Sequence, residues 1–465
     1  MPQPESAGVL LDSQPVSAPA ADSGCHGATT RYRTMPVRKR LLGGVGWATA
    51  GSCLGQGASL VASLVLARVL GRRVFGEYIL IQSTVVALAS FACLGLGVAA
   101  TKYVSLYRRT DPARAGRILG LANMVAFLSG LIFSIGLAGL APSLVPAGAG
   151  RAAVVDGLRW SAPYVFWMAL NASQVGTLAG LERFRAAALI HTSNGFATLL
   201  ATWLLTRGFG LKGAVVAQAA GAFFLWLQYH LAITAEIGRQ GIAVSYRTAW
   251  SERSALALVS APAAISGVIG SAAIWWSNAN LVKAGSYGEL AIFGAANNLR
   301  LATLFFPLIV YRVAAPVLNS LATDADSGRY RRTFWGVTAL GGGAAASLAV
   351  ILCLFGQRLL HLFGKDFVSP AGLIAVLLGS VCLEALSGGL YHAIFTSGSL
   401  WLHFAISTLW AAILVTAGRI AVVHAGAVGL ALAYLLAWSC SCVCYGVVAI
   451  RRLEGGARRR GAATL

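Results

Sequence analysis

ELAIFGAANNLRLATLFFP, residues 289–307, is an apolar run that carries two asparagines and an arginine. It continues through LIVYRVAAPVL, so residues 290–318 form one segment longer than the roughly 20 residues needed to span a bilayer. Asn297, Asn298 and Arg300 lie inside it, followed by Pro307 and Arg312. A charge at membrane depth costs about 2.5–3.5 kcal/mol on insertion scales, so such residues face a water-filled cavity or the interior of a bundle. The run is therefore expected to be a membrane helix with polar business on one side, and Arg300 is expected to reach a cavity.

The same pattern extends in both directions. Apolar runs fall at roughly 43–67, 76–101, 118–141, 158–181, 186–206, 213–234, 255–281, 290–318, 333–355, 370–397, 401–422 and 425–450. That gives an all-α integral membrane protein of about 12 transmembrane helices, with eleven or thirteen left open where connections around 158–206 and 370–422 are very short. Of 465 residues, 57% are hydrophobic and 11% charged, and mean hydropathy is +0.72. A soluble domain carries roughly 25% charged residues and could not bury this much apolar surface.

The charges are lopsided, 36 Lys and Arg against 15 Asp and Glu, for a formal net charge of +21. They cluster between apolar runs, which reads as topology signal and attraction to anionic headgroups and excludes nucleic acid as the partner. Basic groups stand before the first run (Arg38, Lys39, Arg40), after the second (Arg108, Arg109, Arg114, Arg117), after the eighth (Arg329, Arg331, Arg332) and after the last (Arg451, Arg452). All four places share one side of a twelve-helix layout, so both termini are expected in the cytoplasm.

Residues 1–40 are rich in Ser, Ala, Pro and Gly and read as a disordered cytoplasmic tail, with no apolar core of the kind a secretory signal needs. Met35, opening MPVRKR, reads as an alternative start. The remaining organisation is a first six-helix lobe over 41–234, a cytoplasmic linker over 235–254, a second six-helix lobe over 255–450 and a basic cytoplasmic tail over 451–465. RVLGRRVFGEYILIQS (68–83) and KAGSYGELAIFGAANN (283–298) point to an internal repeat of six helices. Two registers fit. One sets Phe75-Gly76-Glu77 on Tyr287-Gly288-Glu289, the other sets Tyr78 on Phe293.

Polar residues inside the runs are the site candidates. Asn278 and Asn280 follow Trp275 and Trp276 in the seventh run, with Lys283 after them; Trp with Asn can stack on and bond sugar rings, although Trp near a helix end is also the ordinary interfacial belt. Gln56, Gln82, Lys102, Asn123, Asn171, Gln174 and Asn194 are candidate lumen residues of the first lobe, or interhelical hydrogen-bond partners. Glu384 and His392, eight residues apart on one helix face, form a candidate acid–base pair for ion coupling. Pro163, Pro262 and Pro307 mark kinks. The eight cysteines lack metal-ligand spacing and read as small packing residues. There is no nucleotide-binding loop, no zinc-binding HExxH and no loop long enough for a soluble catalytic domain, so a non-enzyme is expected.

The 289–307 stretch resembles a motif of the polysaccharide-transporter family, the oligosaccharide flippases of the multidrug/oligosaccharidyl-lipid/polysaccharide exporter superfamily. The matching residues are Ala291, Ile292, Phe293, Ala295, Ala296, Asn297, Arg300 and Pro307. LARVLGRRVFGEYILIQS (66–83) and LGLGVAATKYVS (94–105) are similar to other stretches of that family. Ala291 stands where the family has Gly, and Asn298-Leu299 where Gln-Trp is common. The resemblance implies two six-helix lobes set in a V around a cationic lumen, and alternating-access transfer of undecaprenyl-pyrophosphate-linked oligosaccharide for O-antigen, capsule or exopolysaccharide synthesis in the bacterial inner membrane. It implies Arg300 at the pyrophosphate headgroup, Lys283 and Arg68 as charges at the outer mouth, and Asn297, Asn298 and Asn278 on the sugar. Partners would be the lipid-linked substrate, membrane lipids, and the polymerase and chain-length machinery; no cofactor is expected beyond H+ or Na+ coupling. The rival is a multidrug and toxin extrusion antiporter. Such pumps need membrane-buried acids in the first lobe, whereas Glu77, Asp156 and Glu182 sit at predicted helix ends.

Overall fold

In lipid every main-chain N–H and C=O must be paired within the protein, and the chain meets that demand with helices. The computed structural model describes residues 37–145, 150–323, 327–395 and 400–461. Among them run α1 (Val37–Cys93), α2 (Leu96–Tyr107), α3 (Pro112–Leu144), α4 (Arg151–Gly180), α5 (Phe184–Gln240), α6 (Arg253–Ala284), α7 (Tyr287–Thr323), α8 (Ser327–His361), α9 (Leu373–Phe395) and α10 (Leu400–Gly461). No strand occurs among the described residues.

Three of these helices are too long to be single spans. α1 and α5 have 57 residues each and α10 has 62, which at 1.5 Å per residue is about 85–93 Å, roughly three times a bilayer core. Each is broken at a glycine with positive φ: Gly71 (73°), Gly210 (55°) and Gly426 (52°). Two arms apiece, together with α3, α4, α6, α7, α8 and α9, make twelve membrane-length arms, and α2 extends the second arm of α1 past a break at Leu94-Gly95.

The turns of α5 and α10 are near copies. Gly210 and Gly426 share ψ values of −133° and −127°, and three residues on come Gly213 and Gly429. A Cβ on Gly213 would overlap the Leu205 carbonyl, and one on Gly429 the Ala421 carbonyl. G-L-K-G and G-A-V-G therefore encode the same tight reversal, in which the first glycine takes the left-handed backbone and the second lets the arms close. This is a direct structural repeat between the two halves of the fold.

The termini of the elements differ from the sequence expectation in small ways. Residues 1–36 of the expected N-terminal tail lie outside the described residues, but helix already begins at Val37, since VRKRLL is a run of helix-compatible side chains. The expected basic tail from 451 starts as a continuation of α10 to Gly461. By contact, residues 44–465 form one unit. The expected linker over 235–254 contracts to a short passage after Gln240. Its Glu252 is held by Arg114 and Arg117 at 3.1 Å each, and Ser245 N donates to the Gly116 carbonyl (3.3 Å). α3 opens with Asp111 accepting from Arg114 N (2.9 Å) and Pro112 at its first position, a standard N-cap.

Candidate functional site

Between the two halves lies a cavity of about 700 Å³. Four arms of the first half and one helix of the second wall it. The first arm of α1 supplies Gln56, Ser59 and Ser63, and its second arm Tyr78 and Gln82. The first arm of α5 adds His191, Asn194, Thr198 and Thr202, and its second arm adds Gln218. From the second half come Gly294, Asn297, Asn298, Leu301, Phe305, Leu308 and Ile309, all on α7. Each set follows helical spacing: 56, 59, 63 on one arm, 191, 194, 198, 202 on another, and 294, 297, 301, 305, 308 on α7.

Hydrogen bonds order the wall. Gln218 Nε2 donates to the Tyr78 hydroxyl, tying the two second arms of the first half together. His191 Nε2 and the Tyr229 hydroxyl lie 3.0 Å apart, with Tyr229 itself fully buried. Asn298 Nδ2 donates to Ser63 Oγ (2.8 Å), a bond that crosses from one half to the other. Asn194 Oδ1 and Thr198 Oγ1 are buried in the wall without a hydrogen-bond partner among the described residues. No lysine, arginine, aspartate or glutamate is among the described residues that line the cavity.

One end is shut. Around Gly71, Arg68 Nε donates to the Leu362 carbonyl (2.6 Å) and Arg72 Nε to the Gly288 carbonyl (3.2 Å). Phe75 packs edge-on to Phe367 (centroids 5.8 Å) and against Phe363 (6.4 Å), and Gly76 lies so close to the Tyr287 carbonyl that a Cβ would collide with it. From Leu66 and Phe75 beneath this seal, the cavity runs away toward Gly51 and Ile309. Glu289 accepts from Ala427 N (3.0 Å), fixing the Gly426 turn to the same end.

Of the residues singled out in the sequence, Gln56, Gln82, Asn297 and Asn298 line the cavity, and Asn194 joins them. Arg300 does not. Its guanidinium pairs with Glu384 (Nη2–Oε2 2.8 Å), with the side chains 7% and 20% exposed, and lies over the Tyr434 ring at 5.2 Å. The reason is azimuth: at about 100° per residue, Arg300 sits roughly 120° round α7 from Gly294, while the lining residues stay within about 60° of it. A cation buried in the second half thus meets a carboxylate rather than the lumen. Glu384 and His392 do share a face of α9, but eight residues are about 12 Å of rise, so they do not touch. His392 instead lies against the rings of Tyr311 (5.8 Å) and Tyr391 (6.1 Å). Asn278 is buried in α6 away from the cavity, Lys283 is exposed near the end of that helix, and Arg68 is engaged in the seal. Trp275 donates to Thr84 Oγ1 (2.9 Å) across the halves and is structural glue.

The sequence reading passed over His191, Thr198, Thr202, Tyr78 and Gln218. A signal existed: polar residues at i, i+3, i+7 and i+11 from His191 inside an apolar run draw a stripe, the inverse of an amphipathic surface helix. In the register that sets Tyr78 on Phe293, Ile79 and Gln82 correspond to Gly294 and Asn297, and all four line the cavity.

Comparison with known sequences then places the chain. Residues 41–322 match the model of the family described as "Polysaccharide biosynthesis protein". The chain belongs to that family. Two curated relatives of this polysaccharide biosynthesis family carry the name EPS I polysaccharide export inner membrane protein EpsE. The one from Ralstonia nicotianae is 26% identical over 427 residues, covering 87% of this chain and 92% of that protein. The one from Ralstonia solanacearum is 23% identical over 440 residues, covering 93% and 98%. Among solved structures, the inward-facing conformation of a multidrug resistance MATE family transporter of the MOP superfamily superposes with a TM-score of 0.73 at 15% identity, covering 88% of this chain and 99% of that one. The polysaccharide biosynthesis family member described here thus has the MOP transporter fold.

Proposed function

We propose that this protein is an exporter of surface-polysaccharide precursors that moves undecaprenyl-pyrophosphate-linked oligosaccharide units across the bacterial inner membrane by alternating access. The observation that carries the reading is the amide- and hydroxyl-lined cavity at membrane depth, shut at one end and walled by both halves. Sugars present hydroxyls that both donate and accept, and Gln, Asn, Ser, Thr and Tyr answer in kind. Family membership and the EpsE names support polysaccharide export in an inner membrane.

The basic clusters support an orientation with the Gly71 end on the periplasmic side and both termini in the cytoplasm. Units would then enter from the cytoplasmic leaflet and leave toward the enzymes that polymerise them. Among the described lining residues none is a fixed cation, so the pyrophosphate is read as crossing with its charge still hydrated by the water of the cavity. Arg300, paired with Glu384, is read as taking no part in binding it. A drug exporter with the same fold is the weaker reading, since the described wall offers no carboxylate to a cationic drug.

The test uses a deletion strain of the host, complemented with wild type or with a Gln82→Leu/Asn194→Leu variant. Expected are loss of surface polymer and accumulation of lipid-linked oligosaccharide in the cytoplasmic leaflet, both corrected by wild type and not by the variant. Normal polymer in the deletion strain, with no second transporter present, sinks the proposal.

A further inference from the structure

The two sides of the cavity differ in kind. On the first half, polar groups recur along every arm that faces the lumen. On α7 the polar pair Asn297 and Asn298 stands nearest the seal, and beyond it the lining is hydrocarbon alone: Leu301, Phe305, Leu308 and Ile309. These four occupy one face over about 12 Å of helix. Leu301 and Leu308 are 42% and 51% exposed, so the row is an open surface rather than part of a packed core. A cavity built only for saccharide has no use for it, because a sugar hydroxyl laid there would lose its hydrogen bonds to water without replacement.

Resting on the reading that the cargo is lipid-linked, the geometry points to the α7 row Leu301, Phe305, Leu308 and Ile309 as the seat of the cargo's polyprenyl chain, with the saccharide on the opposite wall of α1 and α5. The occupant follows from complementarity of polarity. A hydrocarbon chain gains little by exchanging lipid for leucine, but it is forced out of neither, so the row carries the bilayer's interior into the cavity. The chain therefore need not stay outside the lumen while its sugars enter. Row and polar wall face each other across one space, matching a ligand that is greasy at one end and hydroxylated at the other. The row also lies on the side of Asn297 and Asn298 away from the seal, where the cavity continues toward Gly51 and Ile309.

Neighbouring residues on one helix supply the control. Phe305 lines the cavity; Phe306, 49% exposed, does not. Each is replaced by the photoreactive p-benzoylphenylalanine, and the protein is reconstituted in phosphatidylethanolamine–phosphatidylglycerol vesicles. The vesicles are doped with the undecaprenyl-pyrophosphate oligosaccharide fraction of the deletion strain, tritiated in its prenyl chain. About a tenfold excess of label at 305 over 306 is expected, the ratio given by a 1.4 kcal/mol preference. Leu308→p-benzoylphenylalanine repeats the measurement if the 305 variant fails to accumulate. Equal labelling at 305 and 306 means that the row sees only bulk lipid and overturns the seat. Labelling at Asn194→p-benzoylphenylalanine without labelling at 305 or 308 overturns the seat while leaving the flippase reading standing. No labelling at any of these positions overturns both.

Discussion

The two halves of the molecule share a backbone plan and use it for opposite surfaces. In the first half, the arms that meet the lumen turn amides and hydroxyls inward and tie them with side-chain bonds such as Gln218 to Tyr78. In the second half, the strongest polar groups, Arg300 and Glu384, turn away from the lumen and neutralise each other, leaving α7 to present mostly hydrocarbon. The turn geometry at Gly210 and Gly426 is nearly identical, so the difference is not one of fold. A repeat can hold its main chain while its two copies take different parts of one task.

The largest effect expected is on what the halves have in common. Gly213→Leu and Gly429→Leu each drive a side chain into a main-chain carbonyl and should each abolish stably inserted protein, read by membrane accumulation. If one is tolerated, the turns are not equivalent. Gly336→Leu, in open space, is the matched control.

Next comes the buried pair. Arg300→Ala or Glu384→Ala strands a charge, at a cost of about 3–5 kcal/mol, visible as a lowered melting temperature in detergent. The double variant Arg300→Met/Glu384→Leu should regain most of it. Should Arg300→Ala keep its melting temperature but lose polymer, the arginine belongs to the lumen after all and the contrast between halves fails.

A smaller change tests the bond between the halves. Ser63→Ala or Asn298→Ala removes one partly buried hydrogen bond, worth about 1 kcal/mol. The double variant should cost no more than either single one, a non-additivity measured by a double-mutant cycle. Smallest is Arg72→Gln at the seal, whose bond to the Gly288 carbonyl is long at 3.2 Å and only part-buried; a shift below about 0.5 kcal/mol is expected by the same melt.

These contrasts mark what could be read beforehand. Apolar run length placed twelve spans because lipid imposes it, and the reversals were legible as short connections, although the G-x-x-G pair behind two of them was not noticed. Gln56, Gln82, Asn297 and Asn298 were found as polar residues in apolar surroundings. Arg300 was found by the same signal, but its neighbour in this structure is Glu384. Its partner lies two helices away, and nothing in local sequence says whether a buried arginine meets a ligand or a glutamate; only its azimuth relative to Asn297 hints at it. Thr198 and Thr202 went unread because hydroxyls are cheap enough in a helix to pass for filler, and only their spacing from His191 and Asn194 gives them away.

At the seal, Arg68 and Arg72 grip main-chain oxygens of Leu362 and Gly288 rather than carboxylates. Every residue type carries that oxygen. Those two bonds accordingly make no demand on which side chain stands at 362, while Phe363 and Phe367 stay bound to the closure through their packing on Phe75.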